Sequence, residues 1–105
     1  MSCCASNTGL TNLFKKVQYS YTYDIGANAS LSVSATQLGA SAPQGYSAIA
    51  MSRISTGKLD VLARNFNPSA SGSTGMVNLR NISANAITGG LLEITITYAL
   101  TSSLN

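Results

Sequence analysis

Leu92-Glu93-Ile94-Thr95-Ile96-Thr97-Tyr98 alternates without a break between large apolar and polar side chains. A period of two places Leu92, Ile94, Ile96 and Tyr98 on one face of an extended strand. Its β-branched residues suit a pleated, half-buried surface. The same period recurs near the other end, in Val17-Gln18-Tyr19-Ser20-Tyr21-Thr22-Tyr23-Asp24, where Val17 and three tyrosines share a face. Neither run carries the 3.6-residue spacing of a helix, so the class they point to is all-β.

The intervening residues read as further short strands divided by turn chemistry. Asp24-Ile25-Gly26-Ala27-Asn28 is a turn, and Leu31 and Val33, separated by serines, continue the alternation as a second strand. Residues 35–45 hold Gly39, Pro43 and Gly45 and read as a loop. A third strand is expected over Tyr46–Ser55, with Ile49 and Met51 on one face and Ala48, Ala50 and Ile54 on the other. Thr56-Gly57-Lys58 reads as a tight turn into a fourth strand, Leu59–Phe66, the two strands forming a hairpin. Residues 67–75 are small, polar or turn-forming and predict an exposed loop. Met76–Ile82 is a fifth strand with Val77 and Leu79 inward, and Thr88-Gly89-Gly90 leads into the last. Six or more short strands predict an antiparallel β-sandwich or jelly-roll-like fold as a single domain over residues 17–105. Residues 1–16 do not alternate and read as an N-terminal arm, or as a short helix through Leu10, Leu13 and Phe14.

Only 9% of the 105 residues are charged, against about 25% in a typical domain. Ser, Thr, Asn, Ala and Gly take the vacated surface, which is therefore cheap to desolvate against a neighbour. Lys15 and Lys16 are adjacent, but Arg53, Lys58, Arg64 and Arg80 are scattered. That is not the dense basic stripe of a nucleic-acid binder. Cys3 and Cys4 are adjacent, a spacing that strains a mutual disulfide, and no other cysteine supplies a framework. Free thiols suit synthesis in a reducing cytosol. Residues 1–14 lack the apolar core of a signal peptide, and no run approaches the ~20 apolar residues of a membrane span.

Catalytic chemistry has little to run on. There is no histidine, the commonest general base and metal ligand. The acids Asp24, Asp60 and Glu93 fall on separate strands, and nothing in the pattern converges two of them. Gly72-Ser73-Thr74-Gly75 lacks the lysine and helix of a phosphate loop. The expectation is a protein without enzymatic activity, metal or cofactor. Tyr19, Tyr21, Tyr23 and Tyr98 admit two readings: a face that stacks on sugars, or amphipathic rings covering a core or an intersubunit seam. Their place within strands favours the second. Arg53, Arg64 and Arg80 either meet a neighbouring subunit or are simply solvated.

Several motifs have a family look: Pro43, Gly45 and Tyr46; Arg53-Ile54-Ser55-Thr56-Gly57; Val61, Arg64, Asn67 and Pro68; Gly72-Ser73; Leu79-Arg80-Asn81; and the closing Ile94–Tyr98. Together they resemble small β-sandwich modules of phage and prophage virion structural proteins from gut Gram-positive hosts. The resemblance implies a β-sandwich, usually a homotrimer, on the outside of a particle. A module with only a short arm fits a capsid decoration or head-surface protein whose partner is the major capsid protein. It would be made in the host bacterial cytoplasm and reside on the virion surface. The alternative is a tail-fibre or baseplate receptor-binding module whose loops 35–45 and 67–75 contact host cell-wall glycan, and a third is a free carbohydrate-binding domain. Candidate contact residues are Leu10, Leu13 and Phe14 in the arm, Tyr19, Tyr21 and Tyr23 in the first strand, and Asn67, Ser71 and Ser73 in the loop.

The inward assignment of Ile96 is open to a direct check. Ile96→Asp buries an unpaired charge and is expected to cost several kcal/mol in urea unfolding; a variant that melts normally would reverse the facing of the last strand.

Overall fold

In the computed structural model, which describes residues 13–104, the alternating C-terminal run is the middle strand of a sheet. The elements in order are β1 (Phe14–Ile25), β2 (Ser30–Ser34), a one-turn helix α1 (Ala35–Leu38), β3 (Tyr46–Ser55), β4 (Val61–Arg64), β5 (Gly75–Asn81) and β6 (Ile87–Leu100), closed by a 3-10 turn, Thr101–Leu104. One sheet has the order β1-β6-β3 and the other β2-β5-β4. All pairings are antiparallel. The fold is all-β and sandwich-like, as the alternation predicts.

The core lies between the two middle strands. β6 turns Leu92, Ile94, Ile96 and Tyr98 inward, and β5 turns Val77, Leu79 and Asn81 inward, all buried. β1 adds Tyr23 and Ile25 and β2 adds Val33, while Val17, Tyr19 and Tyr21 pack against this cluster half-buried. Burying each large aliphatic side chain contributes about 1.5–3 kcal/mol.

Three local readings of the sequence are corrected. Phe14, Lys15 and Lys16 belong to β1, opposite Ala99, Tyr98 and Thr97, so the strand starts inside the expected arm and no helix runs through Phe14. The expected hairpin of the third and fourth strands does not exist: β3 pairs with β6 and β4 with β5. The linker at 56–60 crosses from one sheet to the other, with the Thr56 hydroxyl 2.8 Å from the carbonyls of Lys58 and Val61. Leu59 stands almost fully exposed there and β4 shrinks to four residues. Finally, the segment read as loop opens with α1. Ser34 caps it, accepting from Gln37 N–H (3.2 Å) while Gln37 Oε1 accepts from Ser34 N–H (2.9 Å). Gly39, at φ 73°, ends it in the left-handed region.

β3 is also less regular than its alternation suggests. It shifts register twice against β6, between Ala48 and Ala50 and between Ser52 and Ser55, and Arg53 sits at φ 50° within the second shift. Those bulges break the simple two-face split, leaving Ile49 and Ala50 both exposed.

Asn81 is the one buried polar side chain among the described residues. Its amide donates to the carbonyls of Gly26 (3.0 Å) and Asn85 (2.8 Å), and its Oδ1 accepts from Ser83 N–H and Oγ–H. One side chain thus ties the β1–β2 turn to the β5–β6 loop. Asn81→Ala removes both amide donations and the acceptor of Ser83 N–H, leaving Gly26 O with Ala29 N–H alone and Asn85 O with the Ser83 hydroxyl alone, and is expected to cost about 1–3 kcal/mol. Urea unfolding followed by circular dichroism measures it, and a loss below about 1 kcal/mol would mean water replaces the amide.

Candidate functional site

The loops at 40–42 and 68–72 close over one end of the sandwich and leave a cleft of about 340 Å³. Met76 and Tyr98 form its floor, and Tyr46 stands at the wall with Ala48. α1 positions one loop: Ala40 N–H returns to Ala35 O (2.9 Å) at the helix end. α1 itself is tied to the second loop and the residues after it through Thr36 N–H to Gly72 O (3.0 Å) and Ala35 N–H to Thr74 O (3.2 Å). Asn67 anchors the second loop, donating its N–H to Met76 O and accepting at Oδ1 from the Ser69 hydroxyl.

Polar groups at this end are neutral. Tyr19 and Tyr98 share a 2.7 Å hydroxyl–hydroxyl bond, and the Tyr19 hydroxyl lies 3.4 Å from Ser41 O. Burial holds the Tyr98 phenol well above its usual range, and the bonded Tyr19 hydroxyl adds to that. The lining otherwise consists of Ala, Ser, Gly, Pro and Met, with Tyr46 the other phenol. Lys15 places its ammonium 4.7 Å from the Tyr46 ring centre, a cation–π contact beside the cleft. Such a site offers hydroxyls, backbone amides and a small apolar floor. It suits contact by hydrogen bonding and packing, and its lining contains no acidic, basic or histidine side chain.

The candidate contact residues distribute unevenly. Tyr23 is removed from the contact surface: it is 1% exposed, its hydroxyl donates to Thr56 O (2.6 Å), and its ring fills the space where a Cβ on Gly90 would lie. Tyr19 and Tyr21 lie half-buried on the inner face, Tyr21 accepting from Gln37 Nε2 (3.2 Å). Tyr19 reaches the cleft region through Ser41, and Ser71 lines the cleft directly. Asn67 supports a loop, and Ser73 is exposed but outside the lining. Phe14 is 51% exposed opposite Ala99, and Leu13 is half-buried. Leu10, Cys3 and Cys4 lie outside the described residues. Ser41 falls within the loop 35–45 expected to meet a receptor but is not singled out by its residue type, and Tyr46, read as the start of a strand, reaches the cleft only because that end of β3 lies beside it.

No group of three or more His, Cys, Asp or Glu side chains that could hold a metal occurs among the described residues, and no helix there is long and apolar enough to cross a membrane. Comparison with family models, with curated proteins and with solved structures returned no match.

The two buried phenols set an alkaline limit. Tyr23 is also raised, chiefly by burial. In the unfolded chain both ionise near the usual 10, whereas in the fold they stay protonated. Their contribution to stability is present below pH 10 and is lost as pH climbs above it. Urea midpoints are expected to be flat from pH 7 to about 9 and to fall beyond about 10, less steeply in Tyr98→Phe. An identical slope in that variant would assign the alkaline loss elsewhere.

Proposed function

We propose that this chain is a non-enzymatic bacteriophage structural protein of the virion surface, a capsid decoration or head-surface protein working through protein–protein contacts as an oligomer. The observation that carries the reading is a set of large apolar side chains left exposed on a sparsely charged chain: Leu62, Phe66, Ile82 and Leu91 among them. On the outer face of the second sheet, Leu62 stands opposite Arg80 and next to Ile82, which bonds to Asp60 O. Apolar residues interleaved with arginine make the composition favoured in protein interfaces. The resemblance of the sequence motifs to virion modules supplies the particle, and it implies a homotrimer seated on the major capsid protein.

A second reading, a tail-fibre or baseplate module contacting host cell-wall glycan, is favoured by the cleft. The two loops expected to contact a receptor are the ones that line it, and its hydroxyls beside tyrosine rings suit a sugar.

Antibody raised against the purified domain is expected to label intact particles of the phage or prophage that encodes the chain, on the head. Labelling of the tail tip selects the second reading, and absence from purified particles overturns both.

A further inference from the structure

β1 is the edge of its sheet, paired on one side with β6 and, among the described residues, with no strand on the other. Its pairing runs unbroken from Phe14↔Ala99 to Tyr23↔Gly90, and the irregularity beyond Tyr23 comes from an extra residue on β6. The other three edges are blunted. β3 carries two register shifts and the left-handed Arg53, while β2 and β4 are only five and four residues long. Bulges and short strands are how proteins keep an edge from accepting another strand. β1 alone is long and unbulged.

Its charges are also arranged in a particular way. Lys15 is occupied over the Tyr46 ring on the inner side. On the outer face the exposed residues run Phe14, Lys16, Gln18, Ser20, Thr22, Asp24, with one base near one end and one acid at the other. Asp24 uses Oδ1 to accept from Gly89 N–H (2.8 Å), which fixes its position.

We propose that β1 pairs antiparallel with β1 of a second copy of this chain, about a two-fold axis through Ser20. Directly opposed residues in an antiparallel pair lie on the same face, so only alternate registers exist. Among them, the one centred on Ser20 sets Lys16 against the second copy's Asp24, and does so twice. It also opposes Gln18 with Thr22 and Tyr19 with Tyr21. Centring on Tyr19 instead puts Asp24 against Phe14, and centring on Tyr21 puts it against Gln18. The charges therefore select one register, and the two sheets merge into one across the seam. The inference rests on the contact-building reading only in taking the chain to self-associate, and it puts a two-fold pair in place of the homotrimer that the resemblance implies. It is tested on the purified full chain without any particle, so labelling of particles and pairing of β1 succeed or fail separately.

The test uses the full chain with Cys3→Ser and Cys4→Ser, to which Ser20→Cys, Gln18→Cys or Thr22→Cys is added singly. Opposed Cα atoms stand about 4.5–5.5 Å apart, within disulfide reach, while in this register the two copies of residue 18, or of residue 22, lie four positions apart along the seam, roughly 13 Å. Mild oxidation is expected to link the Ser20→Cys chain into a dimer and to leave the other two monomeric on a denaturing gel. In sedimentation the parent chain is expected to be dimeric, Lys16→Glu to weaken the dimer at least about tenfold by opposing two acids, and Lys16→Glu with Asp24→Lys to restore it. Circular dichroism of each variant confirms its fold, and Lys16, being exposed, is replaced without loss of core contacts. A parent chain monomeric at high micromolar concentration overturns the seam. So does an oligomer, a trimer included, that is indifferent to Lys16→Glu, or cross-linking through Gln18→Cys or Thr22→Cys in preference to Ser20→Cys.

Discussion

The packing of the inward row of β6 against the inward row of β5 is the contact on which the other elements depend. Both rows belong to middle strands, so each also holds two neighbours by its backbone. Leu92, Ile94, Ile96 and Tyr98 on one side and Val77 and Leu79 on the other form a continuous apolar layer. β1 and β3 are then fixed through β6, and β2 and β4 through β5. Tyr23 shows how closely this is fitted. Its ring lies over Gly90, where no side chain stands in the way, and its hydroxyl reaches across to Thr56 O at the linker between the sheets. A single aromatic residue thereby ties the edge strand to the crossing of the chain between layers.

Once the inward rows are committed to the core, what the molecule offers a partner is decided by what remains outside. Sparse charge leaves hydroxyls, amides and a few large apolar residues on the outer faces and loops. Such a surface is inexpensive to strip of water, because few ions lose their hydration. The cleft between the loops follows the same chemistry, with Tyr98, bonded to the Tyr19 hydroxyl, held protonated by burial. Edges matter as much as faces here. Bulges on β3 and the shortness of β2 and β4 close three edges to strand addition, whereas β1 stays regular.

Several features were readable residue by residue. The tyrosines of β1 share the inner face that their spacing implied, and Val77 and Leu79 face in. Even α1 had a local signature that the loop reading passed over: Ser34 followed three residues later by Gln37, with Gly39 just beyond the turn. Gly39, Pro43 and Gly45 nearby carry a competing loop signal over the same segment. Tyr23 was misplaced for a different reason. Alternation tells which side of a strand a residue occupies, but the depth of the pocket beneath it depends on Gly90, distant in sequence and adjacent only across the β1–β6 pair.

By itself, then, the sequence determined the strand content, the inward set on β1, β5 and β6 and the poverty of titratable chemistry. These follow from local periodicity and residue type, which need no knowledge of neighbours. Only the tertiary structure decided the partners. It separated β3 from β4, whose turn-like linker crosses between layers, because strands joined by a short connection pair only if both find their apolar side in one sheet. It brought the loops at 40–42 and 68–72 over Tyr98, and it left β1 as a long open edge. Pairing is a contest among all strands for the same two middle positions, and no single stretch of residues records its outcome.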